Sequence, residues 1–149
     1  MPYTILRGPI YCDASALAKL YIPEAESEDL RRQIAGRDDL VVSDLAVTEI
    51  VSALARRGRE RTSSPTVAAR AARTIVQSLD AAPYQRVELT RDIHRRAEQL
   101  LLTLTRTPLR AADALHLALA LSARTATMAV FDLRLSAAAR AIGLDVYPK

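Results

Sequence analysis

Four acidic residues stand where a carboxylate can do chemistry. Asp13 follows directly on the apolar run Ile10-Tyr11-Cys12, and Asp132 on Met128-Ala129-Val130-Phe131. Both runs read as short strands, and in an open α/β sheet ligands bind beyond the carboxyl ends of the strands. Glu49 sits between Val47 and Ile50-Val51, about the second turn of the helix that follows Leu40-Val41-Val42-Ser43. Asp113 sits between Ala112 and Ala114-Leu115, in the first turn of another helix. A carboxylate beside an apolar stripe is costly to desolvate unless a partner offsets the cost. A divalent cation is one such partner. Carboxylate oxygens without a thiolate or a histidine pair are hard ligands, suited to Mg²⁺ or Mn²⁺ and not to zinc. Each residue also has a plainer reading. Asp13 and Asp132 can cap the helices that follow them, Glu49 can pair with an arginine, and Asp113 can accept backbone amides near a helix start. One such residue is weak evidence; four at strand ends or early helix turns favour a metal site.

Other chemistries fail on the residues. The chain has no P-loop and no glycine-rich dinucleotide fingerprint. Cys12 lacks a catalytic histidine partner and reads as a packing residue. His94 reads as a surface helix residue. His116, one turn after Asp113, reads as packing or hydrogen-bonding near the site rather than binding metal. A phosphoacceptor role for Asp13 lacks the adjacent acidic pair and the late lysine it would need.

The positioning elements alternate along the chain. A strand in 5–12, broken by Gly8-Pro9, leads into a helix through Leu17, Leu20 and Tyr21 that Pro23 stops. A second helix spans 24–35, with Gly36 as its stop. The strand Leu40–Ser43 precedes a helix over 45–57 that Asp44 can cap. Ser64-Pro65 begins a long helix with a small-residue apolar face, Val67 to Leu79. A strand over 84–89 leads to a helix capped by Thr90 and running to about Thr105. A helix over 110–123, a strand over 128–131, a helix over 132–141 and a strand over 144–147 complete the chain. Such alternation predicts a parallel sheet covered by helices on both faces.

Composition is consistent with this reading. The chain has 149 residues, half of them hydrophobic and 26% charged, which fits one domain over 1–149 with its own core. Disorder, a collagen-like fibre and a cysteine framework are excluded. A single cysteine fits a reducing cytoplasm. The best apolar run, 114–123, is interrupted by His116 and falls short of the roughly 20 residues a bilayer requires. The short apolar stretch after Arg7 meets Asp13 almost at once, and fits no secretory leader. The net charge is +4, and all basic residues but Lys19 and Lys149 are arginine. Guanidinium groups match phosphate bidentately, so the excess suits a polyanion, although an Ala- and Arg-rich composition alone also explains it. Arg56, Arg57, Arg59 and Arg61 cluster at the end of the Glu49 helix, Arg110 precedes Asp113, and Arg134 follows Asp132.

Taken in order, these segments resemble the PIN-domain ribonucleases, and among them the VapC toxins of toxin–antitoxin pairs. The resemblance rests on Tyr11-Cys12-Asp13-Ala14-Ser15-Ala16-Leu17, on Val47-Thr48-Glu49-Ile50-Val51, on Ala112-Asp113-Ala114-Leu115-His116-Leu117-Ala118, and on Phe131-Asp132-Leu133-Arg134-Leu135. It spans nearly the whole chain, and the Asp113 segment is its most specific part. It implies a three-layer α/β/α fold with a short, mostly parallel sheet of about five strands. It implies an Mg²⁺- or Mn²⁺-dependent endoribonuclease that leaves 5′-phosphate and 3′-hydroxyl ends. Asp13 and Asp113 would be the principal ligands, with Glu49 and Asp132 completing the shell and Ser15 holding Asp13. Arg110 and Arg134, with Arg56 and Arg57, are the expected RNA contacts. A homodimer and a cognate VapB-type antitoxin are the implied partners, and the face of the 65–79 helix offers either an antitoxin groove or core packing. Two departures stand out: Val130 replaces a hydroxyl residue common two places before the last Asp, and residues 1–9 add length. The alternative is a catalytically silent PIN module that keeps the fold and the arginines.

Overall fold

The computed structural model describes residues 5–60 and 63–149. Five strands form one all-parallel sheet: β1 (Ile10–Cys12), β2 (Leu40–Ser43), β3 (Gln85–Val87), β4 (Thr127–Ala129) and β5 (Asp145–Tyr147), in the order β3-β2-β1-β4-β5. The connections are helical: α1 (Ala14–Tyr21) and α2 (Ser27–Ile34), then α3 (Asp44–Arg59) and α4 (Pro65–Ala81), then α5 (Arg91–Thr103) and α6 (Ala111–Ser122), and last α7 (Leu133–Ala141).

The period-two alternation of the strands divides the core. Ile10, Cys12, Leu40, Val42 and Ala129 pack against α1 to α4. Tyr11, Val41, Met128, Val130 and Val146 pack against α5 to α7. Two helical layers therefore enclose the sheet. The strand order explains why: the chain steps outward from β1 to β3, then returns past β1 to β4 and β5. Parallel crossovers of one hand place the helices of the two directions on opposite faces. The reversal occurs between β1 and β4, which is where such sheets open a crevice at the carboxyl ends.

The expected elements are present with corrected ends. The first strand starts only at Ile10, since Leu6 turns into the core and Pro9 offers only its carbonyl, to Ala126 and Thr127. The second helix starts at Ser27 rather than at residue 24, because Glu26 adopts a left-handed conformation (φ 66°) in the turn after Pro23. Ser43, not Asp44, caps α3: its Oγ accepts from the Ala46 amide, and Asp44 is the first helical residue. That helix also continues through Gly58 instead of ending before it. The glycine lets α4 pack closely, since a Cβ there would lie 3.1 Å from Ala68 Cβ and 3.3 Å from Pro65 Cα, and α4 would have to give by a few tenths of an ångström. Arg61, and with it part of the basic loop after α3, lies outside the described residues.

Candidate active site

Each acidic residue singled out above lies at the carboxyl rim of the sheet or in the early turns of the helix behind it. Asp13 ends β1 and caps α1. Its Oδ1 accepts from the Ala16 amide at 3.0 Å and from Ser15 Oγ at 2.6 Å. Ser15 Oγ in turn accepts from the Phe131 amide at 2.8 Å, which ties the end of β1 to the end of β4. Asp13 is only 4% exposed. Burial pushes its carboxyl from the ordinary 3.8 up to about 6, against the opposing effect of the Ser15 and Ala16 donors.

Glu49 projects from the second turn of α3. Its Oε2 lies 2.7 Å from His116 Nε2. His116 Nδ1 is 2.7 Å from the Tyr11 hydroxyl, which is also 2.8 Å from Ser43 Oγ. Ser43, Tyr11 and His116 are all buried. Burial, the dominant cause, holds the Tyr11 phenol well above its usual range. His116 therefore bonds to the site's carboxylate, as its sequence position suggests, while His94 is an exposed residue of α5.

Asp113 sits in the first turn of α6. Its Oδ2 reaches back to the Arg110 amide at 2.9 Å and also accepts from Arg134 Nε at 2.8 Å. Asp132 caps α7 through Oδ1, which accepts from the Leu135 amide at 2.8 Å.

A common pattern emerges. In all four carboxylates one oxygen is held by protein donors. Among the described residues no donor reaches the other: Asp13 Oδ2, Glu49 Oε1, Asp113 Oδ1 or Asp132 Oδ2. No wholly buried side-chain polar atom among them lacks a partner, so the free oxygens of Asp13, Glu49 and Asp113 keep some contact with solvent, and Asp132 is an exposed residue. Capping and ligation are thus not rivals here, because each cap consumes a single oxygen. The donor set is chemically that of a hard cation. The side chains do not form a closed cage. Among the described residues, no three His, Cys, Asp or Glu groups stand close enough to hold one ion. Glu49 is near enough for its charge to raise the proton affinity of Asp13, whereas Asp113 is engaged by Arg134 and Asp132 by its helix.

The arginines divide in two. Arg110 and Arg134 both meet Asp113, one through its backbone and one through its guanidinium. Arg56 and Arg57 lie about two turns further along α3 from Glu49, roughly 12 Å away. Arg57 pairs with Glu24 at 3.1 Å. They border an apolar groove that starts beside Ser15 and Glu49, passes Ala18, Ile22, Ala53 and Leu54, and continues to Val67 and Ala71 of α4. The face of α4 is shared between this groove and the core, since Ala68, Ile75 and Leu79 are buried. Tyr11 and Ser43 are the site-related residues that the sequence reading passed over. The available signal was a tyrosine in an otherwise aliphatic strand, aimed at the helix that carries His116.

Comparison with known proteins agrees with this architecture. The PIN domain profile matches residues 10–141. Ribonuclease VapC46 of Mycobacterium tuberculosis is 34% identical over 139 residues, 92% of this chain and 95% of that protein. The crystal structure of VapC20 of Mycobacterium tuberculosis, described as a sarcin-ricin loop cleaving toxin, aligns with a TM-score of 0.70 at 21% identity, covering 87% of this chain and 95% of its own. FitAcB of Neisseria gonorrhoeae aligns with a TM-score of 0.67 at 15% identity, covering 93% and 96%. The two structural alignments speak to the fold, and the sequence matches to the family. The chain belongs to the PIN-domain family and is of the VapC type.

Proposed function

We propose that this protein is a divalent-metal-dependent endoribonuclease toxin, neutralised by a cognate VapB-type antitoxin. The observation that carries the reading is the shared state of the four carboxylates. Each has one oxygen fixed by the protein and the other without a donor among the described residues. Asp13 and Asp113 would be the principal ligands, and Glu49 and Asp132 would complete the shell. A Mg²⁺ or Mn²⁺ held there would supply activation of water and charge neutralisation of the scissile phosphate. Ser15 fixes Asp13 against the end of β4, so the carboxylate needs no reordering when a ligand arrives. Arg134 exchanges Asp113 for the RNA backbone, where its fork matches a phosphate. Arg110 stands beside it, and Arg56 and Arg57 extend the cationic track along α3. The single Phe and the lack of Trp leave few stacking platforms, so recognition leans on backbone and shape.

The antitoxin reading rests on the groove between α1, α3 and α4. It is apolar, floored by small residues, and opens at the Glu49 end onto the site. An amphipathic antitoxin helix laid there would cover the carboxylates at one end. A homodimer and a cytoplasmic setting complete the proposal. Among the described residues no helix is long and apolar enough to cross a membrane.

The test uses protein freed of antitoxin, incubated with total cellular RNA in Mn²⁺, Mg²⁺ or chelator. Discrete fragments with 5′-phosphate ends, dependent on metal and absent for Asp113→Asn, are the expected result. RNA binding without cleavage by folded wild type would replace the proposal with a silent RNA-binding module.

A further inference from the structure

We propose that Tyr11 and His116 are positioning residues that set the carboxylate of Glu49. The inference rests on the metal-site reading above and deepens it. The contacts form a closed circuit. Ser43 caps α3 through the Ala46 amide at 3.1 Å. Its hydroxyl meets Tyr11 of β1, Tyr11 meets His116 of α6, and His116 returns to Glu49, again on α3. The start of α3 and its second turn are thus tied to each other across the sheet and through the opposite helical layer.

The chemistry of each link fixes the next. An ionised carboxylate only accepts, so the Nε2 that faces Glu49 carries a hydrogen. The imidazole has a partner at both nitrogens, and Tyr11 meets it edge-on, with ring centroids 5.8 Å apart at 70°. The ring therefore cannot turn without losing two hydrogen bonds. The tyrosine hydroxyl has one hydrogen and spare lone pairs, so it serves both Ser43 and Nδ1 in a single chain of donors. A packing role alone would be met by phenylalanine at 11 and an aliphatic residue at 116. Instead three buried polar side chains are satisfied by one another, and the circuit ends at a partly exposed carboxylate. Glu49 has three side-chain torsions to order, and the short charge-assisted bond to Nε2 orders them in advance, leaving Oε1 facing out. Since α6 also carries Asp113 one turn earlier, one helix both presents Asp113 and orients Glu49.

The experiment begins with metal-free protein. The chain has two histidines, and His94 is exposed, so ¹⁵N-histidine NMR assigns His116 directly. The expected spectrum shows a hydrogen on His116 Nε2, protected from solvent, with faster exchange in Tyr11→Phe. A hydrogen on Nδ1 with a bare Nε2 would overturn the proposal. Calorimetric titration with Mn²⁺ follows. His116→Ala is expected to weaken binding about 10- to 100-fold, as loss of an outer partner does elsewhere. His116→Gln retains a donor and recovers most of that loss, and Tyr11→Phe loses about tenfold while keeping the wild-type fold. Wild-type Mn²⁺ affinity in both folded Tyr11→Phe and folded His116→Ala would refute the positioning role. Wild type that binds no Mn²⁺ would refute the metal-site reading itself, a result the metal-free spectrum does not share.

Discussion

Replacing Asp13 with asparagine will stabilise the metal-free protein while removing its response to metal. Asp13 is buried at the end of β1, and its carboxyl is held near 6 instead of 3.8. The sign follows from linkage. The folded state binds this proton more tightly than the unfolded state does. The carboxyl therefore favours folding most below pH 3.8, and that contribution is lost as pH rises through about 6. At neutral pH the full difference acts against the fold, on the order of 3 kcal/mol at 1.36 kcal/mol per pH unit. Asparagine has the same shape. Its oxygen accepts from Ser15 and Ala16, and its amide takes the position of the solvent-facing Oδ2. The expected gain is about 1–3 kcal/mol, or roughly 3–10 °C in Tm for a chain of this size. Urea titrations of both proteins in chelator, from pH 4 to pH 8, measure it. Carboxylates remote from Asp13 are common to both proteins and cancel in the difference, while repulsion by Glu49 is part of the Asp13 shift itself. The gain will grow between pH 4 and pH 6 and then level off. An asparagine variant no more stable than wild type at pH 7.5, or equally favoured at pH 4, would refute the reasoning. With saturating Mn²⁺ the order reverses, since a ligand at 1,000 times its Kd adds about 4.1 kcal/mol to wild type alone.

Further outcomes follow from single contacts. Ser15→Ala leaves the Phe131 amide without its partner and Asp13 with one donor fewer, costing about 1–3 kcal/mol by thermal melting and about tenfold in single-turnover cleavage. Arg134→Gln frees Asp113 from a partly exposed ion pair worth about 1 kcal/mol. Calorimetry without RNA will show Mn²⁺ binding up to about fivefold tighter, whereas the cleavage assay will show a slower reaction. Ala53→Arg fills the groove beside Glu49 and will abolish antitoxin protection in co-expression while leaving cleavage by the free protein intact.

Much of this architecture was legible because the signals are local. Ser64-Pro65 and Thr90 announced their helices, and both side chains accept from the amides a cap should satisfy. Alternating apolar strands between helical stripes gave the parallel sheet, and the carboxylates were found because four of them share strand ends or early helix turns, where one alone reads as a cap. What escaped depends on tertiary contact. Ser43 and Asp44 are both competent caps, and only the path of β2 into α3 selects the serine. Gly58 reads as a helix stop until α4 is seen to lie against it. Tyr11 reads as one more strand hydrophobe, and its polar role needs His116, distant in sequence. The Arg134–Asp113 pair likewise joins two helices that no periodicity relates. The carboxylates were expected to converge, yet the side chains line a rim in which Arg134 holds Asp113.

Anomalous diffraction from crystals soaked in Mn²⁺ tests the central claim most directly. The account predicts a manganese peak in contact with Asp13 Oδ2 and Asp113 Oδ1, the oxygen that Arg134 does not hold. A map without a peak there, or with manganese bound only elsewhere, would contradict it.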